Sequence, residues 1–140
     1  MEVVRRKCGF GNGVEVNSEG SRGGLCLAWR LGVSVILRSY SKRYIDVDIE
    51  DSELGVKWRF TGFYGSPYAQ DRNDSWDVLR SLKVADDIPW FICGDFNEIM
   101  YGSEKKKREI PRDERRMDLF RRTLEDCQMS DVGYSGRWFT

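Results

Sequence analysis

Histidine is absent from the 140 residues, so no His-based triad, His general base or His metal site can be assembled within the chain. The four cysteines, Cys8, Cys26, Cys93 and Cys127, include no Cys-x-x-Cys pair, which excludes a zinc knuckle and a thioredoxin-like motif. Cys26 and Cys93 sit inside apolar, strand-like runs and are expected to be small buried groups; reduced, intracellular thiols are the simplest reading. No excess charge of either sign exists: 23 Lys plus Arg balance 23 Asp plus Glu, so no global basic field draws in nucleic acid. No run approaches the roughly 20 apolar residues a membrane span requires, and Met1 to Lys7 carries charge without the apolar segment of a signal peptide. The expected location is intracellular, nucleus or cytoplasm.

At 140 residues the chain can build one domain with a real core. Residues 1–22 are polar and Gly-rich and define little beyond a short alternating strand at Val14-Glu15-Val16. A strand follows Gly23-Gly24, a second spans Val33 to Tyr40 and a third spans Tyr44 to Glu50. In the third, Ile45, Val47 and Ile49 alternate with Asp46, Asp48 and Glu50, the pattern of a strand with one wet face. The turn signal Asp51 to Gly55 joins it to a fourth strand, Val56 to Tyr64, as a hairpin. Asn73, Asp74 and Ser75 offer N-cap oxygens for a helix through Lys83, with Trp76, Leu79 and Leu82 at helical spacing. A second helix is expected from Asp113 to Gln128, its inner face formed by Met117, Phe120, Leu124 and Cys127. Ser130 to Thr140 reads as an extended segment, a Gly turn and the start of another strand. Strands first, then alternating strand and helix, indicate an α/β protein.

Between the helices stands Pro89-Trp90-Phe91-Ile92-Cys93-Gly94-Asp95-Phe96-Asn97-Glu98-Ile99. Trp90 to Cys93 reads as a short buried strand that stops at Gly94. In an extended chain Asp95 and Asn97 project the same way. A carboxylate there can take a proton from water or bind a hard metal ion, and an amide can orient that water or a phosphate oxygen. The plainer alternative is that Gly-Asp closes the strand and Asn97 makes a local turn bond, the commoner outcome for such strings taken alone. Tyr64 ends its strand beside Gly65, Ser66 and Pro67, where its phenol can donate to an anionic oxygen or be an ordinary half-buried strand-end tyrosine. Glu98 is a possible second carboxylate, although adjacent residues in extended chain point oppositely. From Ser103 to Arg122 nine cations, Lys105, Lys106, Lys107, Arg108 and Arg112 among them, face five acids. That excess suits a nucleic-acid backbone or a solvated loop and helix face.

Several segments together resemble a known family. They are Gly23-Gly24-Leu25-x-Leu27-x-Trp29, Thr61-Gly62-Phe63-Tyr64-Gly65-x-Pro67, Pro89-Trp90-x-x-x-Gly94-Asp95-Phe96-Asn97-Glu98-Ile99, Met117-Asp118-x-Phe120-Arg121 and Asp131-x-Gly133-Tyr134-x-Gly136-x-x-Phe139-Thr140. From about residue 20 to the end, this order is similar to the endonuclease/exonuclease/phosphatase family, nearest its apurinic-type branch in plant non-LTR (LINE-type) retrotransposons. The resemblance implies a four-layer α-β-β-α sandwich and hydrolysis of phosphate esters with Mg²⁺ or Mn²⁺. Asp95 would activate or position the attacking water and bear indirectly on the metal. Asn97 would bind phosphate or orient Asp95, and Tyr64 would contact the scissile phosphate. DNA is the implied partner, with a reverse transcriptase in the intact parent polypeptide. The family's metal-binding Glu motif precedes the Gly-Gly-Leu element, whereas Glu2, Glu15 and Glu19 here have different surroundings, and the closing Asp-His pair is missing. The expectation is therefore a single partial domain over residues 1–140, truncated at both ends and catalytically incomplete. A non-catalytic nucleic-acid-binding remnant and a phosphatase of the same superfamily are the alternatives.

Overall fold

The computed structural model describes residues 2–17, 24–85, 87–104, 112–133 and 135. Helix α1 (Glu2–Lys7) is followed by strands β1 (Asn12–Val16), β2 (Leu25–Trp29), β3 (Ser34–Ser41), β4 (Tyr44–Asp51) and β5 (Val56–Tyr64). Helix α2 (Arg72–Ser81), strand β6 (Trp90–Asp95) and helix α3 (Glu114–Asp126) complete the order. The class is mixed α/β, with two sheets and helices, as expected for the α-β-β-α sandwich class. None of the described helices is long and apolar enough to cross a membrane. The chain forms two compact units: residues 1–72 with 85–97, and residues 73–84 with 98–140.

The first unit holds all six described strands. β1 and β2 pair antiparallel, and β3-β4-β5-β6 form a second sheet in sequence order. The β4–β5 hairpin pairs Asp46 with Thr61 and Asp48 with Arg59, its turn closed by Asp51 Oδ1 accepting from the Glu53 and Leu54 amides and by Gly55 at φ 66°. Ile45 and Val47 are buried as the alternation predicts, and Phe63 is buried on the opposite face of the sheet, which it shares with Thr61 and Arg59.

The acidic face of β4 departs from expectation. Asp46 is only 1% exposed, because Arg59 on β5 meets it with a two-pronged pair at 2.9 and 2.8 Å and Thr61 Oγ1 donates to it at 2.7 Å. Trp90 completes the cluster: its indole N–H donates to Thr61 Oγ1 at 2.8 Å, and its ring lies 4.3 Å beneath the Arg59 guanidinium. A carboxylate enters the interior here because a planar fork and a hydroxyl replace its water.

The N-terminal segment contains helix α1, whose six residues are too few for a periodic signal. Arg5 ties that helix to the turn before β1 and to β1 itself, donating to the carbonyls of Phe10 and Gly11 at 3.3 and 2.6 Å and pairing with Glu15 at 3.3 Å. Cys26 and Cys93 are exposed, not buried; Cys93 shares a strand face with Phe91, which is also exposed.

The second unit is helical. α3 starts at Asp113, whose carboxylate accepts from the Arg115 amide at 3.0 Å, an N-cap at the expected place. Its inner face buries Met117, Phe120, Thr123 and Cys127, while Leu124 is half-buried. The Trp76 ring stacks on Phe120 at 4.7 Å, and the Asp126 carboxylate and carbonyl hold Arg80 and Lys83 at 2.8 and 2.7 Å. α2 begins at Arg72 after a 3-10 turn, Ala69–Asp71, so Asn73, Asp74 and Ser75 lie in the first turn instead of capping it. The expected strand at Phe139-Thr140 falls outside the described residues, and no strand is found at 131–133.

Candidate functional site

β5 and β6 run parallel, and their register sets Gly62 against Cys93, Phe63 against Gly94 and Tyr64 against Asp95. Paired residues of neighbouring strands project from the same face, so Tyr64 and Asp95 leave one face of the sheet at the carboxyl ends of both strands. Carboxyl ends of parallel strands are where open α/β sheets place their ligands.

Two glycines permit this closeness. A Cβ on Gly94 would collide with the Phe63 carbonyl, and one on Gly65 would collide with the Phe96 carbonyl. The strand ends are then tied. The Gly65 amide donates to the Asp95 carbonyl at 2.8 Å, and Asn97 Nδ2 donates to the Gly65 carbonyl at 2.9 Å. Asp95 Oδ1 accepts from the Asn97 amide at 2.9 Å. Asn97 adopts φ 55°, a left-handed geometry that asparagine tolerates better than most residues. The chain is therefore not extended past Asp95, so the expected joint projection of Asp95 and Asn97 gives way to the local turn bond weighed as its alternative, and Asn97 is also the latch between the strand ends. Among the described residues one Nδ2 hydrogen and the amide oxygen have no partner.

Asp95 is exposed, and its second carboxylate oxygen has no hydrogen bond among the described residues; the same holds for the Tyr64 phenol, which is half-buried. The loop after Tyr64 is braced from below. Arg72, 6% exposed, donates to the Ser66 and Pro67 carbonyls at 3.4 and 3.3 Å. On the other flank the Tyr64 amide donates to the Arg43 carbonyl at 2.7 Å, which brings the β3–β4 turn to the same sheet end. An apolar cleft of about 240 Å³ runs up to the pair, lined by Leu25 and Leu27 of β2, Phe60 of β5 and Cys93 of β6.

The expected basic residues fare differently. Lys105, Lys106, Lys107 and Arg108 lie outside the described residues. Arg112 is described, and its Nε sits 3.1 Å from Glu98, whose carboxylate is fully buried and also accepts from the Ile99 amide at 3.2 Å. Glu98 is thus occupied by Arg112 and is not an open ligand. Arg43 and Arg72 had no signal in the sequence, because strand register and carbonyl capture are non-local.

An exposed carboxylate and a phenol paired at one strand end, beside the Asn97 latch, are groups that suit a phosphate ester. A resident divalent ion is less well served. Among the described residues no three His, Cys, Asp or Glu side chains gather to hold a metal, and Asp95 has already committed one oxygen to Asn97. Of the described residues, Asp95 is the one carboxylate at this strand end that would serve such an ion, water and substrate oxygens making up the rest.

Comparison with known proteins gives the family. The model of the endonuclease/exonuclease/phosphatase family matches residues 5–140, which extends the likeness through the N-terminal segment and beyond the region from about residue 20 that the motifs mark. No curated protein matches the chain. On a family match over nearly its whole length, the chain belongs to the endonuclease/exonuclease/phosphatase family.

Proposed function

We propose that the chain is a phosphodiester-hydrolysing domain of the DNA-nicking type and of retroelement origin. Within these residues it carries the phosphate-holding half of the site. The observation that carries this reading is the register pairing of Tyr64 with Asp95 at the carboxyl ends of β5 and β6. Asp95 positions the attacking water and accepts its proton. Tyr64 donates to a non-bridging phosphate oxygen. Asn97 holds Asp95 in place through its amide N–H and holds the strand ends through Gly65.

The family generally uses divalent metals, and Mg²⁺ or Mn²⁺ is the proposed cofactor. Mg²⁺ keeps several waters and needs one or two carboxylates besides substrate phosphates. Asp95 supplies one, and the described residues bring no metal-sized cluster around it. The sequence also lacks histidine. Loss of members of a catalytic unit costs orders of magnitude in rate, so cleavage by these residues alone is proposed to be weak. A reverse transcriptase in the same polypeptide is the proposed partner. The same missing carboxylate favours a second reading, a remnant that binds nucleic acid without cutting it.

Incubation with supercoiled plasmid, with Mg²⁺ and with chelator, beside Asp95→Ala, tests the reading. Nicking no faster than the mutant by a folded chain, with DNA binding retained, makes the chain the remnant of the second reading. Metal-dependent nicking lost in Asp95→Ala overturns the incompleteness. Turnover of a small phosphate monoester in place of DNA makes the domain a phosphatase. Absence of both DNA binding and ester turnover overturns the whole reading.

A further inference from the structure

We infer that the Ser41–Arg43 turn is a second phosphate-binding position, where Lys42 and Arg43 hold the nucleic-acid backbone beside the scissile phosphate. The inference rests on the proposed reading of the Tyr64–Asp95 site.

The turn is placed by pairing that can be followed residue by residue. Ser41 pairs with Tyr44 where β3 turns into β4, and Tyr44 pairs with Phe63 on β5. The next residue of β5 is Tyr64, and its amide donates to the Arg43 carbonyl at 2.7 Å. The turn is itself fixed, since Ser41 Oγ accepts from the Arg43 amide at 3.1 Å. Arg43, Tyr64 and Asp95 therefore stand in a row across three adjacent strands. Neighbouring strands lie about 4.8 Å apart, so the row spans roughly 10 Å. One strand of DNA carries a phosphate every ~3.4 Å of helix axis, so a backbone crossing this row presents further phosphates to Arg43 and Lys42.

The charges are available. Elsewhere in the sheet cations are taken up by acids: Arg38 by Asp48 at 2.9 Å, Arg59 by Asp46 at 2.8 Å and Lys57 by Glu50 at 3.4 Å. Lys42 and Arg43 have no ion pair or side-chain hydrogen bond with any described residue; Lys42 is exposed and Arg43 half-exposed. Two uncommitted cations flank a carboxylate that must meet an anionic substrate. Their field offsets that of Asp95 and favours a polyanion over a lone phosphate ester.

The test measures affinity of the 140-residue chain for a labelled DNA duplex across a salt series. The variants are Lys42→Ala/Arg43→Ala, the charge-conserving Lys42→Arg/Arg43→Lys, and Asp95→Ala. Each lost phosphate contact lowers the slope of log affinity against log salt by about 0.9. The alanine pair is expected to lower it by roughly 1.8, and the charge-conserving pair to restore it. An unchanged slope in the alanine pair, or no salt-dependent binding by the wild type, overturns the inference. The reading of the Tyr64–Asp95 site fails separately: a chain whose slope depends on Lys42 and Arg43 but whose Asp95→Ala variant matches the wild type in affinity, with Mg²⁺ and with chelator, keeps this position and loses Asp95 from the phosphate site.

Discussion

Tyr64 and Asp95 are direct partners across the parallel β5–β6 pair, and the Asp95 carbonyl accepts the amide of Gly65, the residue after Tyr64, at 2.8 Å. Neither side chain owes its place to sequence proximity. Both owe it to a register that brings two strand ends together, with the Asn97 latch closing it.

That latch predicts a separation of effects at Asn97. Asn97→Gly keeps the left-handed backbone and loses only the amide bond to Gly65, whereas Asn97→Ala loses the bond and strains the backbone at φ 55°. Thermal or denaturant unfolding should place Asn97→Gly about 1 kcal/mol below wild type and Asn97→Ala about 2 kcal/mol below it. Equal losses would mean that the backbone geometry carries no strain.

The Asp46–Arg59 pair predicts an asymmetry between breaking a buried ion pair and replacing it. Both side chains are 2% exposed, and Arg59 already has a buried Nη1 without a partner. Asp46→Ala leaves a buried guanidinium uncompensated and should cost about 3–5 kcal/mol. Asp46→Leu with Arg59→Met should cost much less. Denaturant midpoints of the three proteins decide this; a double variant as unstable as Asp46→Ala would show that the charges themselves specify the sheet.

Cys127 predicts a reactivity and a pH effect. Burial pushes its thiol above the ordinary range, and Sγ contacts the Leu79 carbonyl at 3.7 Å. A thiol whose pKa is raised by folding stabilises the fold fully below the unfolded thiol pKa, and that contribution is lost as pH rises through the folded value. Stability should therefore decline on the alkaline side of the thiol range, and Cys127→Ser should flatten the decline. In a thiol-reagent assay on the folded chain, Cys8, Cys26 and Cys93 should react promptly and Cys127 only on unfolding.

Much of this fold was legible because alternation and helical spacing are local. The β4–β5 hairpin stands where its turn signal puts it, and α3 starts at Glu114 behind Asp113, the expected start, whereas the cap expected at Asn73 to Ser75 lies inside α2. The features that escaped were non-local. Asp46 alternates like a solvent-facing acid, and only its cross-strand partners Thr61 and Arg59 explain its burial. Cys26 and Cys93 read as core because apolar runs do not reveal which face is covered. Helix α1 is six residues long, too short for a periodic signal. At the site, the motif named Tyr64, Asp95 and Asn97, but their pairing, the Arg72 brace and the Arg43 contact depend on chain segments far apart in sequence.

The most direct measurement is the amide chemical-shift response of the isotopically labelled chain to a short DNA duplex, with Mg²⁺ and with chelator. The account predicts that Tyr64, Gly65, Asp95, Asn97 and Arg43 shift together and saturate with one affinity. Tyr64→Phe, which removes the phenol donor, and Lys42→Ala/Arg43→Ala should each weaken the whole set. Shifts confined to other surfaces, or a response that survives both variants unchanged, would contradict the assignment of this strand end as the phosphate site.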